Sequence, residues 1–411
     1  MKRIWLLVLA LAMIPGIGPR AESGPDSTSP LPPHAALRLT FHDYGLCLGN
    51  APRIHGARFN LSDHGLERVD GLNLTLWKPR SNSQAIINGA AIGMVAPAAK
   101  RINGLSCGGI AVVGESSLRG ISAAGIAVVS EGVVEGVSAA GLAVVGEGRI
   151  SGLSAAGLAV VSEGRIVGVS LSGLATVGRK GVAGIHVGGL AVVSEGDATG
   201  INVGGLATVC EGRMRGLAIG GLATVCNGTA AGIGVGGLVV VLEGTVTGLT
   251  LSGITTVCEA NYTGIAASGG SVICAQNLRG LSIGAIAFPA RGGEDSKRWS
   301  LPGIKARNLS GLTVHGMNIQ TSGRASGITV AGIHIGADML SGLSVAPIVR
   351  AGEIKGIAFG IVNYCTRRQT GIAVGLVNWA AALRGIQIGL LNHAGNNPRG
   401  LRWLPGVNVH L

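Results

Sequence analysis

The chain has 411 residues, of which 72 are glycine, 3% aromatic and 13% charged, so its core is aliphatic and its turns are glycine. That composition fits a stacked, exported, non-enzymatic protein better than a conventional catalytic domain. The formal charge of +12 turns attention to anionic neighbours.

In chain order, Met1-Lys2-Arg3 and the apolar run Ile4 to Ile17 lead to small residues near Gly18 and Ala21, the pattern of a secretory signal peptide over residues 1–21. Pro15, Gly16 and Gly18 interrupt a run already short for a membrane anchor, and no cysteine near the cleavage region offers a lipid attachment. Residues 22–38 are rich in Ser, Pro, Gly and Ala and read as a disordered linker. Residues 39–103 read as a cap and irregular rungs. Leu39 to Leu48 is expected to be one capping strand, with rungs beginning at Gly56, Gly71 and Gly89.

Residues 104–288 repeat one sentence, as in GVSAAGLAVVGEGRIS followed by GLSAAGLAVVSEGRIV. Its anchors are Gly104, Gly120, Gly136, Gly152, Gly168, Gly184, Gly200, Gly216, Gly232, Gly248, Gly264 and Gly280, sixteen residues apart throughout. Leu, Ile or Val always follows the anchor, a second glycine comes five residues after it in eleven of the twelve units, and Glu-Gly closes six of them. The doubled small corner suits a turn where a Cβ would collide or φ must be positive, and the glycine after Glu is expected to be left-handed. Glycine at this density costs about 1 kcal/mol per residue in a helix, so each unit reads as two short strands closed by a turn. Such a rung buries its aliphatics by stacking, which brings Ile121, Val137 and Leu153 above one another in a dry ladder.

Residues 289–310, with Arg291, Glu294, Asp295, Lys297, Arg298 and Trp299, read as a charged insertion loop. Rungs of fourteen to sixteen residues resume over 311–411 at Gly311, Gly327, Gly342, Gly356, Gly371, Gly385 and Gly400. The fold class is therefore an all-β, single-chain β-solenoid of about 22 rungs, each of about 14–16 residues. The alternative is a transmembrane β-barrel with one strand per repeat, which would fit sixteen residues but lacks alternating turns and aromatic girdles.

The repeats Gly356-Ile-Ala-Phe-Gly360-Ile-Val-Asn363, Gly371-Ile-Ala-Val-Gly375-Leu-Val-Asn378 and Gly385-Ile-Gln-Ile-Gly389-Leu-Leu-Asn392 resemble the bacterial surface-repeat proteins with short Gly-aliphatic-Asn units. The resemblance runs over residues 56–411. It implies a cell-envelope location (periplasm, outer membrane or cell surface) and no assigned activity, so there are no catalytic residues to transfer. The chain departs from the lipoprotein members in lacking a lipobox cysteine.

Charge is concentrated at one end: residues 291–411 hold 13 basic and 4 acidic groups, against 9 and 10 over 101–289. Arg350, Lys355, Arg367, Arg368, Arg384, Arg399 and Arg402 form a candidate patch for lipid headgroups or an acidic glycan. Nucleic acid fits poorly, since an exported chain rarely meets it and no aromatic platform accompanies the charges. Cys210, Cys226, Cys258 and Cys274 share the tenth position after their anchors, so neighbouring rungs would place Cys210 beside Cys226 and Cys258 beside Cys274 as disulfide candidates. Parallel side chains point the same way, which weighs against closure.

The carboxylates Glu115, Glu131, Glu147, Glu163, Glu195, Glu211, Glu243 and Glu259 read as solvated turn residues, and the Gly-Gly-x-Gly-x-Asp calcium signature is absent. Thr176, Thr208, Thr224 and Thr256 share the eighth position with valines, too interrupted for an ice-matching face. Neither HExxH nor a phosphate loop occurs, so the sequence implies no cofactor and no metal. A carbohydrate-active enzyme on the solenoid flank is the functional alternative. Its densest candidate cluster is Glu294, Asp295, Lys297 and Arg298.

Overall fold

The computed structural model describes residues 36–77, 79, 84–285 and 303–411. The expected signal segment, nearly all of the linker and residues 289–302 of the expected insertion loop lie outside them. The last residues of that loop are a correction, since Ile304–Ala306 and Asn308–His315 are strands paired within the stack. Within them the chain is an all-β solenoid of about twenty turns.

One coil illustrates the rest. A long arm, Ile150–Ala156, runs to a corner at Gly157-Leu158; a short arm, Ala159–Ser162, runs to the turn at Glu163-Gly164. Each arm pairs in parallel with its equivalents sixteen residues away: Leu153 with Val137 and Val169, Val160 with Val144 and Thr176. Ile121 likewise pairs with Val137. Parallel pairing of successive coils is incompatible with an up-and-down barrel, whose neighbouring strands run in opposite directions.

The anchor glycine is the fixed point of the coil. At Gly152 φ is +104°, and an added Cβ would collide with the carbonyl oxygen of Gly136 one coil below. Of the two causes expected at the second glycine, collision holds and positive φ does not, and the left-handed glycine expected in the Glu-Gly turn is not there. Gly157 and Gly164 lack positive φ and are glycine because a Cβ would strike the carbonyls of Gly141 and Gly148.

Strand alternation then sorts the columns, numbered here from the anchor. Positions −2, +2, +4, +8 and +10 point inward, as Ile150, Ser154, Ala156, Val160 and Ser162 do. The expected inward ladder at +1 is a correction: its register is as expected, but Ile121, Val137 and Leu153 are 53%, 40% and 40% exposed. Because −2 and +2 face the lumen, a residue at +1 must face out. The lumen is consequently narrow and partly polar, with Ser106 Oγ bonded to Ser122 Oγ at 2.8 Å and Ser138 to Ser154 at 3.0 Å.

Both ends reverse the chain. The expected single strand Leu39–Leu48 is a hairpin, Ala36–Phe41 antiparallel to Tyr44–Gly49, turned by His42 and Asp43 at positive φ. Beneath it Arg58 and Asp63 form a buried ion pair at 3.0 Å, and Asp63 also accepts from Asn73 and Thr75, so the lumen is closed by a satisfied polar plug. At the other end the rung expected at Gly400 does not form. Arg399–Leu401 is a single 3-10 turn, and Trp403–His410 returns antiparallel along the last coil.

Candidate interaction surface

Each coil presents three sides: the segment before the anchor, the rest of the long arm, and the short arm. From Leu105 to Ile273 the outward columns of the last two sides, +1, +3, +7 and +9, contain no charged residue, and neither does the corner between them. Leu or Ile stands at +6 from Ile110 to Ile254, each amide bonded to the coil below, as Leu206 N to Leu190 O at 2.7 Å. Leu190, Leu206, Leu222 and Leu238 on this crest are 44–47% exposed. A shallow groove of about 520 Å³ runs beside it, floored by Ala140, Gly141, Ala156 and Gly157. Charges are confined to the third side and the Glu-Gly turn, as with Arg119–Glu135 at 3.1 Å and Arg179–Glu163 at 3.2 Å. Contiguous apolar patches of more than a few hundred Å² are uncommon on free monomers.

Followed by register, the +9 column changes character in the last coils. Val257 and Ile273 give way to Lys305, Gln320, Gly336, Arg350, Tyr364 and Trp379, with His393 and Trp403 beyond. Tyr364 and Trp379 stack at 4.5 Å and 17°, Trp379 and His393 at 5.5 Å and 6°, and Arg350 lies 6.0 Å over the Tyr364 ring. An aromatic column therefore does accompany the basic end, contrary to the sequence reading. Beside it Ile361, Leu376 and Leu390 are 54%, 51% and 72% exposed.

The seven basic residues of the predicted patch do not form one column. Lys355 and Arg384 share one, separated by Thr370; Arg368 pairs in register with Glu353; Arg350 belongs to the aromatic column; Arg399 and Arg402 lie at the cap. Arg367 is engaged by Asp338 at 2.7 Å.

The register does bring Cys210 beside Cys226 and Cys258 beside Cys274, and all four are buried free thiols. Hydrogen bonding within the second pair raises the Cys258 pKa and lowers that of Cys274 to about 7. In the first pair it raises Cys210 and lowers Cys226. The threonine column faces the lumen: Thr208 and Thr224 donate to the carbonyls of Ile219 and Val235, each at 2.6 Å. Ser170 Oγ lies 2.7 Å from His186 Nδ1, but both residues are fully buried, so this pair presents no nucleophile to a substrate. Burial lowers the His186 pKa to about 4, leaving the ring neutral at pH 7. Among the described residues no group of three or more His, Cys, Asp or Glu could hold a metal ion. No protein-family model, curated protein or solved structure matches this chain.

Proposed function

We propose that the protein is an exported, non-catalytic scaffold of the bacterial cell envelope that works by laying its uncharged flank and basic end against an anionic envelope component. The observation that carries this reading is the sorting of charge around the coil. Aliphatic columns run outward over two sides for the length of the regular block, a longer uncharged surface than a free monomer usually exposes. The resemblance of the Gly-aliphatic-Asn units to surface-repeat proteins and the basic, apolar start of the chain support the same location.

Cell fractionation combined with external protease tests the proposal. Recovery of a processed chain with the envelope is the expected result. A chain of full length in the cytoplasm would overturn it.

A further inference from the structure

Lipid headgroups and acidic glycans are both anionic, and the aromatic column distinguishes them. Resting on the envelope reading above, we propose that the coils from Gly342 to the C-terminal cap dock on the interface of an anionic lipid bilayer, with Tyr364, Trp379 and His393 as an edge-on anchor and Trp403, tilted 50° against His393, beside it.

The first argument is the direction of the rings. Sugars bind aromatic side chains by stacking on an exposed face. Here the faces of Tyr364, Trp379 and His393 are spent on one another, at 17° and 6° between planes, and Arg350 covers the outer face of Tyr364. With their faces paired, these rings have only edges left for a partner. Edges carry the phenol O–H and the indole N–H, and rings with an apolar body and a polar tip favour the level of lipid headgroups.

The second argument is what surrounds the column. Ile361, Leu376 and Leu390 stand on the convex corner next to it and are the residues of that corner most open to solvent in these coils. A fluid acyl boundary can enclose a convex corner that a rigid flat partner would touch along one line. The third argument is charge: residues 303–411 carry 10 basic and 2 acidic groups, which complements an anionic leaflet and adds to apolar burial.

The test uses the mature full-length chain with vesicles of phosphatidylcholine alone, or containing about one quarter phosphatidylglycerol, the anionic probe. The chain should sediment with the anionic vesicles, and brominated phosphatidylcholine should quench its tryptophan emission. The W379F/W403F variant, which retains Trp77 and Trp299, should lose most of that quench. The double variant L376D/L390D should bind about tenfold more weakly or worse, and R350Q should lose only part of the dependence on phosphatidylglycerol. An unchanged urea midpoint for L376D/L390D shows that its fold is intact.

Binding that ignores L376D/L390D, bound protein whose tryptophans are not quenched, or capture by polygalacturonate without capture by vesicles would each overturn the proposal. A chain that fractionates with the envelope yet ignores vesicles defeats this proposal alone. A cytoplasmic chain defeats the envelope reading whatever the vesicles do.

Discussion

The regular block and the last coils keep one backbone and fill it differently. Between Gly104 and Gly280 the anchors are sixteen residues apart and the +8 column is Val or Thr; between Gly342 and Gly385 they are fourteen or fifteen apart, and the same column by register is Asn363 and Asn378, followed by Asn392. The shorter coil has lost one corner residue. Asn363 and Asn378 donate across that corner to the carbonyls of Val374 and Ile388, each at 3.0 Å. Thr208 and Thr224 make the equivalent bond to the third residue of the next coil in the block. Asn also reaches its own kind: Asn363 to Asn378 and Asn378 to Asn392, both 2.7 Å. Amide side chains at strand spacing thus replace aliphatic packing, and the Asn of the repeat is explained as an interior clamp.

The anchor glycine is common to both regions, so breaking it should cost the most and cost both equally. Gly200 has φ +99° and Gly371 +115°, and a Cβ on either meets the carbonyl of the coil below. Gly200→Ala and Gly371→Ala should each lose about 3 kcal/mol or more, read from the urea midpoint. Tolerance of either change would show that the coil turns elsewhere.

The clamps should separate the two regions. Asn378→Leu deprives Asn363 and Asn392 of a buried partner and should cost about 3 kcal/mol. Thr224→Val removes one bond at a position where Val192 and Val240 already serve, and should cost about 1 kcal/mol or less. Equal losses at the two sites in thermal or urea unfolding would mean that the amide ladder adds nothing beyond a threonine.

Titration should likewise tell the regions apart. The +2 column of the block contains His186, while its counterpart in the last coil is Gln387, which does not titrate. Burial depresses the His186 pKa from 6.5 to about 4, so on acidification the unfolded chain takes up the proton first. Stability from this group is full above pH 6.5, declines through the window from 6.5 to 4, and has fallen by about 3 kcal/mol below it. His186→Ser, the residue of the preceding coil, should flatten that part of the profile. Identical profiles for the two chains would show that the ring is not held neutral.

Period and register were legible in the sequence because a constant glycine spacing leaves one way to stack the coils, and Ile121, Val137 and Leu153 do pair as expected. Which set faced the lumen was not legible. Ile150 and Leu153 are equally apolar, so alternation separated two sets without saying which was inside. The lumen selects for size as well as polarity, and Ser154 and Ala156 fit beside Ile150 where two leucines would overfill it. The aromatic column was hidden for another reason. Tyr364, Trp379 and His393 each stand eight residues after an anchor, an offset that faces the lumen in the block and turns outward here because the corner is one residue shorter, and only the antiparallel cap adds Trp403. Arg367 was expected in the patch because its partner Asp338 is 29 residues earlier, two coils back.

The smallest effect leaves stability untouched and tests that inside-outside assignment directly. Of the seven cysteines Cys107 alone is exposed, because it occupies the outward +3 column of the first regular coil. Cys210, Cys226, Cys258 and Cys274 occupy the inward +10 column, and Cys365 lies in its continuation. A bulky maleimide on the folded chain should therefore modify one thiol promptly, and Cys107→Ser should abolish that fast phase. Rapid labelling of the Cys210–Cys226 pair would instead turn the +10 column outward. The aliphatic columns at +1, +6 and +9 would then face the lumen, and the apolar flank would no longer be available to a partner.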